Sequence, residues 1–140
     1  MLSCVLPCLR VFTPFMKLNS RILVYGTLRH GEINHHLLDG ARYCGPHVTE
    51  PHYRMYDLGA YPGVVRKGRS RISGEVYAID SRLLVVLDRL EGYPLAYSRK
   101  LIPTPWGRAW IYLYRGGRGK RVVIPSGRWQ EKVRTRRWSR

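Results

Sequence analysis

A single carboxylate stands at a position where general acid or base chemistry is expected. Glu91 closes the amphipathic run of residues 82–91, which Gly92 ends. On a helical projection, Glu91 falls between Leu84 and Leu87 at the edge of the apolar face. Burial and the negative end of the helix dipole both disfavour its charged form, which predicts a raised pKa suited to proton transfer. If the helix ends one residue earlier, Glu91 instead turns into water.

A glycine-bounded segment, residues 26–31, is the second chemical feature. It follows a short apolar strand and reads Gly-Thr-Leu-Arg-His-Gly. A strand that ends in glycine can turn sharply and direct several successive backbone N–H groups to one point. Such an arrangement binds a carboxylate or a phosphate without a cationic side chain. An ordinary turn is the alternative interpretation of so short a string.

Motifs for metal, cofactor or nucleophile chemistry are missing from the sequence. There is no P-loop, no dinucleotide fingerprint, no zinc-protease motif and no nucleophile elbow. His35 and His36 are adjacent and suit two surface positions on a short helix better than one metal ion. Cys4 and Cys8 lack a second Cys or His pair for zinc, and with Cys44 they make no disulfide framework. We therefore expect no metal, no cofactor and a cytoplasmic location.

The elements that would position these residues indicate an α+β fold. Strand patterns occur at residues 21–25, 42–49, 52–58, 72–79, 98–104, 107–114 and 121–124. Residues 34–38 predict one or two helical turns, and residues 59–71 predict a loop rich in glycine. Strands and helices do not alternate regularly, so we predict a small mixed β-barrel with few short helices.

One amphipathic helix is expected between the strands. Asp80 or Ser81 is its predicted N-cap. Its apolar face is predicted to carry Leu83, Leu87 and Leu90. This helix would deliver Glu91 to the site.

The chain divides into three predicted segments. Residues 1–20 form an extension outside the fold, with Met16 as an alternative start; residues 21–129 form the domain; and residues 130–140 form a basic tail. No uncharged apolar run approaches the roughly 20 residues that a membrane-spanning helix needs. We therefore expect a soluble chain without a membrane partner.

Positive charge is concentrated in the last third of the chain. The formal net charge is +16, and residues 99–140 hold 13 Lys or Arg against one acidic residue. A solvated, mobile tail is the simpler interpretation of the basic end. Because Trp129 and Trp138 interleave with its arginines, stacking on nucleic-acid bases is the alternative.

Three motifs occur in a specific order between residues 22 and 129. They are Y-G-T-L-R-H-G at 25–31, G-E-V-Y at 74–77 and L-D-R-L-E-G-Y-P at 87–94, with Asn34-His35, Tyr61-Pro62-Gly63 and residues 126–129 as further landmarks. This ordered set resembles the γ-glutamylcyclotransferase-like superfamily, most closely its γ-glutamylamine cyclotransferase and small bacterial AIG2-like branches.

The resemblance implies a small mixed barrel with one pocket and assigns roles within it. Glu91 is implied to be the catalytic carboxylate, and Tyr97 to line the pocket. Backbone groups of four residues are implied to hold the γ-glutamyl moiety: Tyr25, Gly26, Thr27 and Leu28. The expected partner is a small-molecule γ-glutamyl amide or peptide.

The chemistry of that substrate agrees with the missing nucleophile motif. A γ-glutamyl group carries its own nucleophile, the α-amine, spaced to close a five-membered ring on the γ-carbonyl. The enzyme then needs only to fold the substrate and move a proton, releasing 5-oxoproline and an amine or amino acid. Two other hypotheses remain: a non-catalytic module that binds a small carboxylate or a protein, and a basic nucleic-acid-binding protein.

Overall fold

A computed structural model of the protein describes residues 17–116 and 121–130. The predictions about Cys4, Cys8 and Met16, and those about residues 131–140, lie outside these described residues. Within them the strands are β1 (Ser20–Val24), β2 (Arg42–Val48), β3 (Tyr53–Asp57), β4 (Pro62–Ser70), β5 (Ser73–Ile79), β6 (Tyr97–Ile102), β7 (Ala109–Tyr114) and β8 (Val122–Ile124). A 3-10 helix spans His35–Leu38 and the α-helix, α1, spans Ser81–Glu91. No helix in the described part is long and apolar enough to cross a membrane.

The strands form two sheets. The five-stranded sheet has the order β2-β5-β1-β7-β6, with β1 antiparallel to β5 and parallel to β7. The three-stranded sheet has the order β4-β3-β8 and is antiparallel. The prediction of an α+β fold is confirmed. The two sheets, however, do not close into a single barrel.

Strand β1 is the centre of the core because both of its faces are covered. Leu23 packs with Met55 and Ile111 in a cluster that draws on both sheets. Ile22 and Val24 point the other way and pack in a second cluster with Leu87 of α1. The continuous apolar run of this strand, without polar alternation, is what two covered faces require.

Helix α1 begins and ends with the expected capping groups. Asp80 Oδ1 accepts a hydrogen bond from the N–H of Leu83 at 2.8 Å, and Gly92 ends the helix with φ of 68°. Leu87 is fully buried, but Leu90 is 42% exposed, so its predicted place on the buried face is wrong. The reason is that Leu90 borders a pocket instead of packing on the sheet.

The prediction of a loop over residues 59–71 is also wrong. Most of this segment is β4, which pairs with β3. A Cβ atom at Gly68 would collide with the carbonyl oxygen of Tyr53, and one at Gly63 would lie 3.0 Å from Tyr114. These glycines mark places where strands and side chains approach closely, and not a flexible connection.

Candidate active site

A pocket of about 400 Å³ lies where four parts of the fold meet. Its walls come from the loop after β1, the start of β4, the last turn of α1, and strands β6 and β7. All six residues predicted for the site line it: Tyr25, Gly26, Thr27, Leu28, Glu91 and Tyr97. The fold therefore brings together the two segments singled out in the sequence, and the action of these residues on a substrate stays a prediction.

Glu91 is the last residue of α1 and reaches the pocket from the end of the helix. Burial raises the pKa of Glu91 from its ordinary 4.5 to about 7. Among the described residues, its carboxylate forms neither a salt bridge nor a hydrogen bond that would lower this pKa. Both burial and the helix dipole are predicted from the sequence to raise this pKa, and burial is the cause found in the structure. Near neutral pH such a group can both accept and return a proton.

Three buried tyrosines form the wall around Glu91. The Tyr25 hydroxyl donates to the Tyr112 carbonyl oxygen at 2.8 Å, and the Tyr97 hydroxyl donates to the Pro62 carbonyl oxygen at 3.0 Å. Burial raises the pKa of all three phenols far above the ordinary value, and the nearby Glu91 charge adds to the rise. These phenols stay protonated at neutral pH. Since their protons are engaged by protein acceptors, these phenols shape the pocket.

The backbone carbonyl oxygens of the loop after β1 accept hydrogen bonds from other groups of the protein. The Gly26 carbonyl oxygen accepts from the Arg29 N–H at 3.1 Å, and the Thr27 carbonyl oxygen accepts from the Asn34 N–H at 2.9 Å. None of the turn and loop backbone hydrogen bonds within residues 17–116 and 121–130 starts at the N–H of Gly26, Thr27 or Leu28. A loop whose carbonyls are engaged and whose N–H groups have no turn or loop backbone acceptor in the described part of the chain is suited to bind an anion.

Side chains from outside hold this loop in place. Asn34, which also lines the pocket, donates from Nδ2 to Thr27 Oγ1 at 3.0 Å. On the other side, Glu75 Oε1 accepts from the backbone N–H of His30 at 2.9 Å. The loop is thus fixed at two points by polar groups, which lowers the cost of ordering it around a ligand.

Position 26 requires glycine because β4 lies very close to the loop backbone there. A Cβ atom at this position would lie 2.8 Å from both Cδ and Cγ of Pro62. The carbonyl oxygen of Pro62 is the acceptor for Tyr97, so the loop, β4 and β6 meet at one point. Glycine here allows the loop backbone to border the pocket directly.

Arg29 connects the loop to the C-terminal part of the domain. Its Nη2 donates to the Trp129 carbonyl oxygen at 2.6 Å and lies 3.5 Å from Glu32 Oε2. The Trp129 side chain is only 1% exposed and belongs to the core between the sheets. The prediction that Trp129 is available to stack on bases is therefore wrong, whereas Trp138 lies outside the described residues.

The two adjacent histidines have different surroundings. His36 is exposed, as expected for a surface position. His35 is half-buried, and its Nδ1 lies 2.9 Å from the Leu28 carbonyl oxygen, so Nδ1 carries the proton in this contact. No group of three or more His, Cys, Asp or Glu side chains within the described ranges is arranged to hold a metal ion.

An ion pair that the sequence argument missed anchors the helix beside Glu91. Asp88 receives two hydrogen bonds from Arg99, at 2.9 and 3.0 Å, and one from the Tyr112 hydroxyl at 2.7 Å. The Arg99 guanidinium lies 4.4 Å from the ring centre of Tyr93 and 4.2 Å from that of Trp110. Helical spacing could have pointed to Asp88, one turn before Glu91, but the partners depend on strand placement.

Comparison with other sequences identifies the same family along most of the chain. The profile of the family "Gamma-glutamyl cyclotransferase, AIG2-like" matches residues 22–131. A Vibrio cholerae protein provisionally named a gamma-glutamylcyclotransferase is 47% identical over 112 residues, which cover 80% of this chain and 96% of that protein. The gamma-glutamylcyclotransferase family protein YtfP of Escherichia coli is 41% identical over 112 residues, covering 80% and 97%.

Solved structures agree with the sequence comparison. The solution structure of YtfP from Escherichia coli superposes with a TM-score of 0.67, covering 81% of this chain and 98% of that one. A crystal structure of a Pyrococcus horikoshii protein, 31% identical, has a TM-score of 0.69 and covers 85% and 96%. The fold, the pocket and the matched sequence lead to one conclusion: this chain belongs to the AIG2-like gamma-glutamyl cyclotransferase family.

Proposed function

We propose that the protein is a γ-glutamyl cyclotransferase that converts γ-glutamyl amides into 5-oxoproline and a free amine or amino acid. The observation that carries this proposal is a carboxyl whose pKa burial raises to about 7, in the same pocket as a loop whose N–H groups have no turn or loop backbone acceptor among the described residues. Membership of the family supports the reaction class. We further propose that this chemistry takes place in the cytoplasm, without a metal or a cofactor.

The pocket offers a partner for both charged groups of a γ-glutamyl substrate. The N–H groups of Gly26, Thr27 and Leu28 bind the α-carboxylate, as a set of backbone donors does at other anion sites. Glu91 receives the α-ammonium group. With both ends of the glutamyl unit held, the chain between them folds so that the α-nitrogen faces the γ-carbonyl carbon. This pre-orientation supplies much of the rate enhancement of a ring closure.

The reaction proceeds by proton transfer and acyl substitution within the substrate. Ionised Glu91 takes one proton from the α-ammonium group and leaves a neutral amine. The amine nitrogen forms a bond to the γ-carbonyl carbon, and the bond from that carbon to the leaving nitrogen breaks. Glu91 returns this proton to the leaving nitrogen, then takes the second proton from the ring nitrogen and passes it to the released amine. The lactam thus keeps one N–H, the amine leaves as an ammonium ion and the carboxylate is regenerated. The products are 5-oxoproline and the free amine, with no covalent enzyme intermediate.

Measurement of 5-oxoproline release from a panel of γ-glutamyl amides tests the proposal. Purified wild-type protein should release it, and Glu91→Gln should lower kcat by at least about a thousandfold because glutamine cannot exchange the proton. Glu50→Gln, which changes an exposed carboxylate outside the pocket, should retain full activity.

Two results would contradict the assignment. A folded Glu91→Gln protein with wild-type kcat would remove Glu91 from the mechanism. Wild-type protein that binds γ-glutamyl amides but releases no 5-oxoproline would instead favour the non-catalytic binding module.

A further inference from the structure

The lining of the pocket divides into a buried base and an exposed mouth. Tyr25, Leu28 and Tyr97 line the pocket with only 4–6% of their surface exposed, so they lie at its base. Tyr61 and Leu90 also line it, but they are 48% and 42% exposed and therefore border its opening. We call Tyr61 and Leu90 the apolar rim.

We propose that the apolar rim selects the leaving group, so that the preferred substrates are γ-glutamyl derivatives of amines or amino acids with aliphatic or aromatic side chains. This inference rests on the proposed function. The γ-glutamyl unit is bound by the loop after β1 and by Glu91. The leaving group is attached through the γ-amide and extends from there toward the mouth, where it meets Tyr61 and Leu90.

The exposure of Leu90 points to a ligand. Helical spacing places Leu90 near the apolar face of α1, yet in the structure it borders the pocket opening and 42% of its surface is accessible. Covering accessible apolar surface with an apolar ligand is favourable in proportion to the area removed from water. A leaving group with an alkyl or aryl chain gains this contribution, and a short or polar one does not.

Charge at the mouth acts against a cationic leaving group. Arg89 is exposed and lines the pocket in the same turn of α1 as Leu90. Among the described lining residues, Glu91 is the acidic one, and its part in the reaction commits it to the α-amine. A lysine linked through its side-chain nitrogen brings its α-ammonium group together with its α-carboxylate, and the ammonium group meets apolar surface and a like charge. An amino acid linked through its α-nitrogen brings the carboxylate without an ammonium group, which Arg89 tolerates.

The first test compares four substrates with wild-type protein: γ-glutamyl-leucine, γ-glutamyl-phenylalanine, γ-glutamyl-alanine and lysine carrying γ-glutamyl on its side-chain nitrogen. We expect kcat/KM to rise about threefold to tenfold from alanine to leucine or phenylalanine, mainly through KM, and to be lowest for the lysine derivative. Equal values for the four substrates, or a preference for the lysine derivative, would overturn the proposal.

Two matched variants connect the preference to the rim. Leu90→Gln should lower kcat/KM for γ-glutamyl-leucine about fivefold or more, with a smaller fall for γ-glutamyl-alanine. Val86→Gln is the control, because Val86 is 44% exposed on the same helix but does not line the pocket. The same loss in both variants would show that the helix surface in general, and not the rim, is responsible.

Failure of the proposed function and failure of this inference give different results. If no member of the panel yields 5-oxoproline, the reaction is refuted. Affinities of the four compounds, measured by calorimetry, then still test the rim: the predicted order supports apolar recognition at the mouth, and any other order refutes it.

Discussion

Replacing Glu91 by glutamine should raise the stability of the folded protein while it lowers the activity. The carboxyl is ionised in water above its ordinary pKa of 4.5, but in the folded protein burial raises this pKa to about 7. The folded state therefore binds a proton that the unfolded state releases between these two values. The glutamine side chain of the variant is neutral at every pH, so it avoids the cost of ionising a buried group.

The size and the pH window of the effect follow from linkage. A rise from 4.5 to about 7 corresponds to about 3 kcal/mol, at ~1.4 kcal/mol per pH unit. Below the unfolded pKa both states are protonated, so the cost is absent. It grows as the pH rises from about 4.5 to about 7 and is constant above the folded pKa. Glu91→Gln should therefore be more stable than wild type by up to about 3 kcal/mol near pH 8, and by about 1 kcal/mol or less near pH 5.

Urea unfolding followed by tryptophan fluorescence measures this difference. Wild type and Glu91→Gln are compared at each pH, so that titration of other groups, common to both proteins, cancels. Glu50→Gln is the control, since Glu50 is exposed and should give a difference near zero throughout. The same wild-type preparations should show kcat/KM rising about tenfold per pH unit below neutrality and levelling off above it.

A stability difference that does not change with pH would refute this reasoning, because it would mean that the Glu91 carboxyl is solvated in the folded protein. A Glu91→Gln protein that is less stable than wild type near pH 8 would also refute the reasoning. Either result would also remove the physical reason for assigning acid–base catalysis to this residue.

Three further changes test the framework of the site. Gly26→Ala forces a Cβ atom against Pro62 and should lower kcat/KM at least about tenfold and cost about 1–3 kcal/mol. The control Gly40→Ala meets open space but has a strained φ of 92°, so it should cost stability and yet leave kcat/KM unchanged when 5-oxoproline release is measured. Asp88→Asn removes the charge that binds Arg99 and so holds α1 on the sheet. In urea titration it should lower the free energy of unfolding by about 2–3 kcal/mol, whereas substitution of an exposed acidic residue should not lower it. Trp129→Ala opens the core between the sheets and should cost about 3–5 kcal/mol, and a loss below about 1 kcal/mol would contradict its buried position.

Local features of the fold were predictable because short-range physics determines them. The cap at Asp80, the helix end at Gly92 and the apolar run of β1 each depend on neighbours a few residues away. The position of Glu91 at the edge of the buried face followed from helical spacing alone. The loop after β1 was found because a glycine ended an apolar strand.

Features that depend on distant contacts were not predictable. Gly63 and Gly68 favour a loop when read locally, but in the fold they allow β4 to pack closely, Gly68 against β3 and Gly63 against β7. Leu90 has the spacing of a core residue, yet it is 42% exposed at the pocket opening. Likewise, the link from Arg29 to Trp129 spans 100 residues and carries no sequence signal. In each case the missing information is which element covers which surface.

The anchoring of α1 explains how a buried carboxylate without a partner is retained. Ionised Glu91 works against folding, and a helix end that could move would relieve this by turning the side chain into water. One turn earlier, Asp88 is held by Arg99 and Tyr112, and Arg99 is itself enclosed between two aromatic rings. This network opposes the movement, because any rotation of the last turn would break bidentate hydrogen bonds to a charged group. Asp88 therefore helps to keep the last turn of α1, and with it Glu91, in place, although Asp88 lies outside the pocket lining.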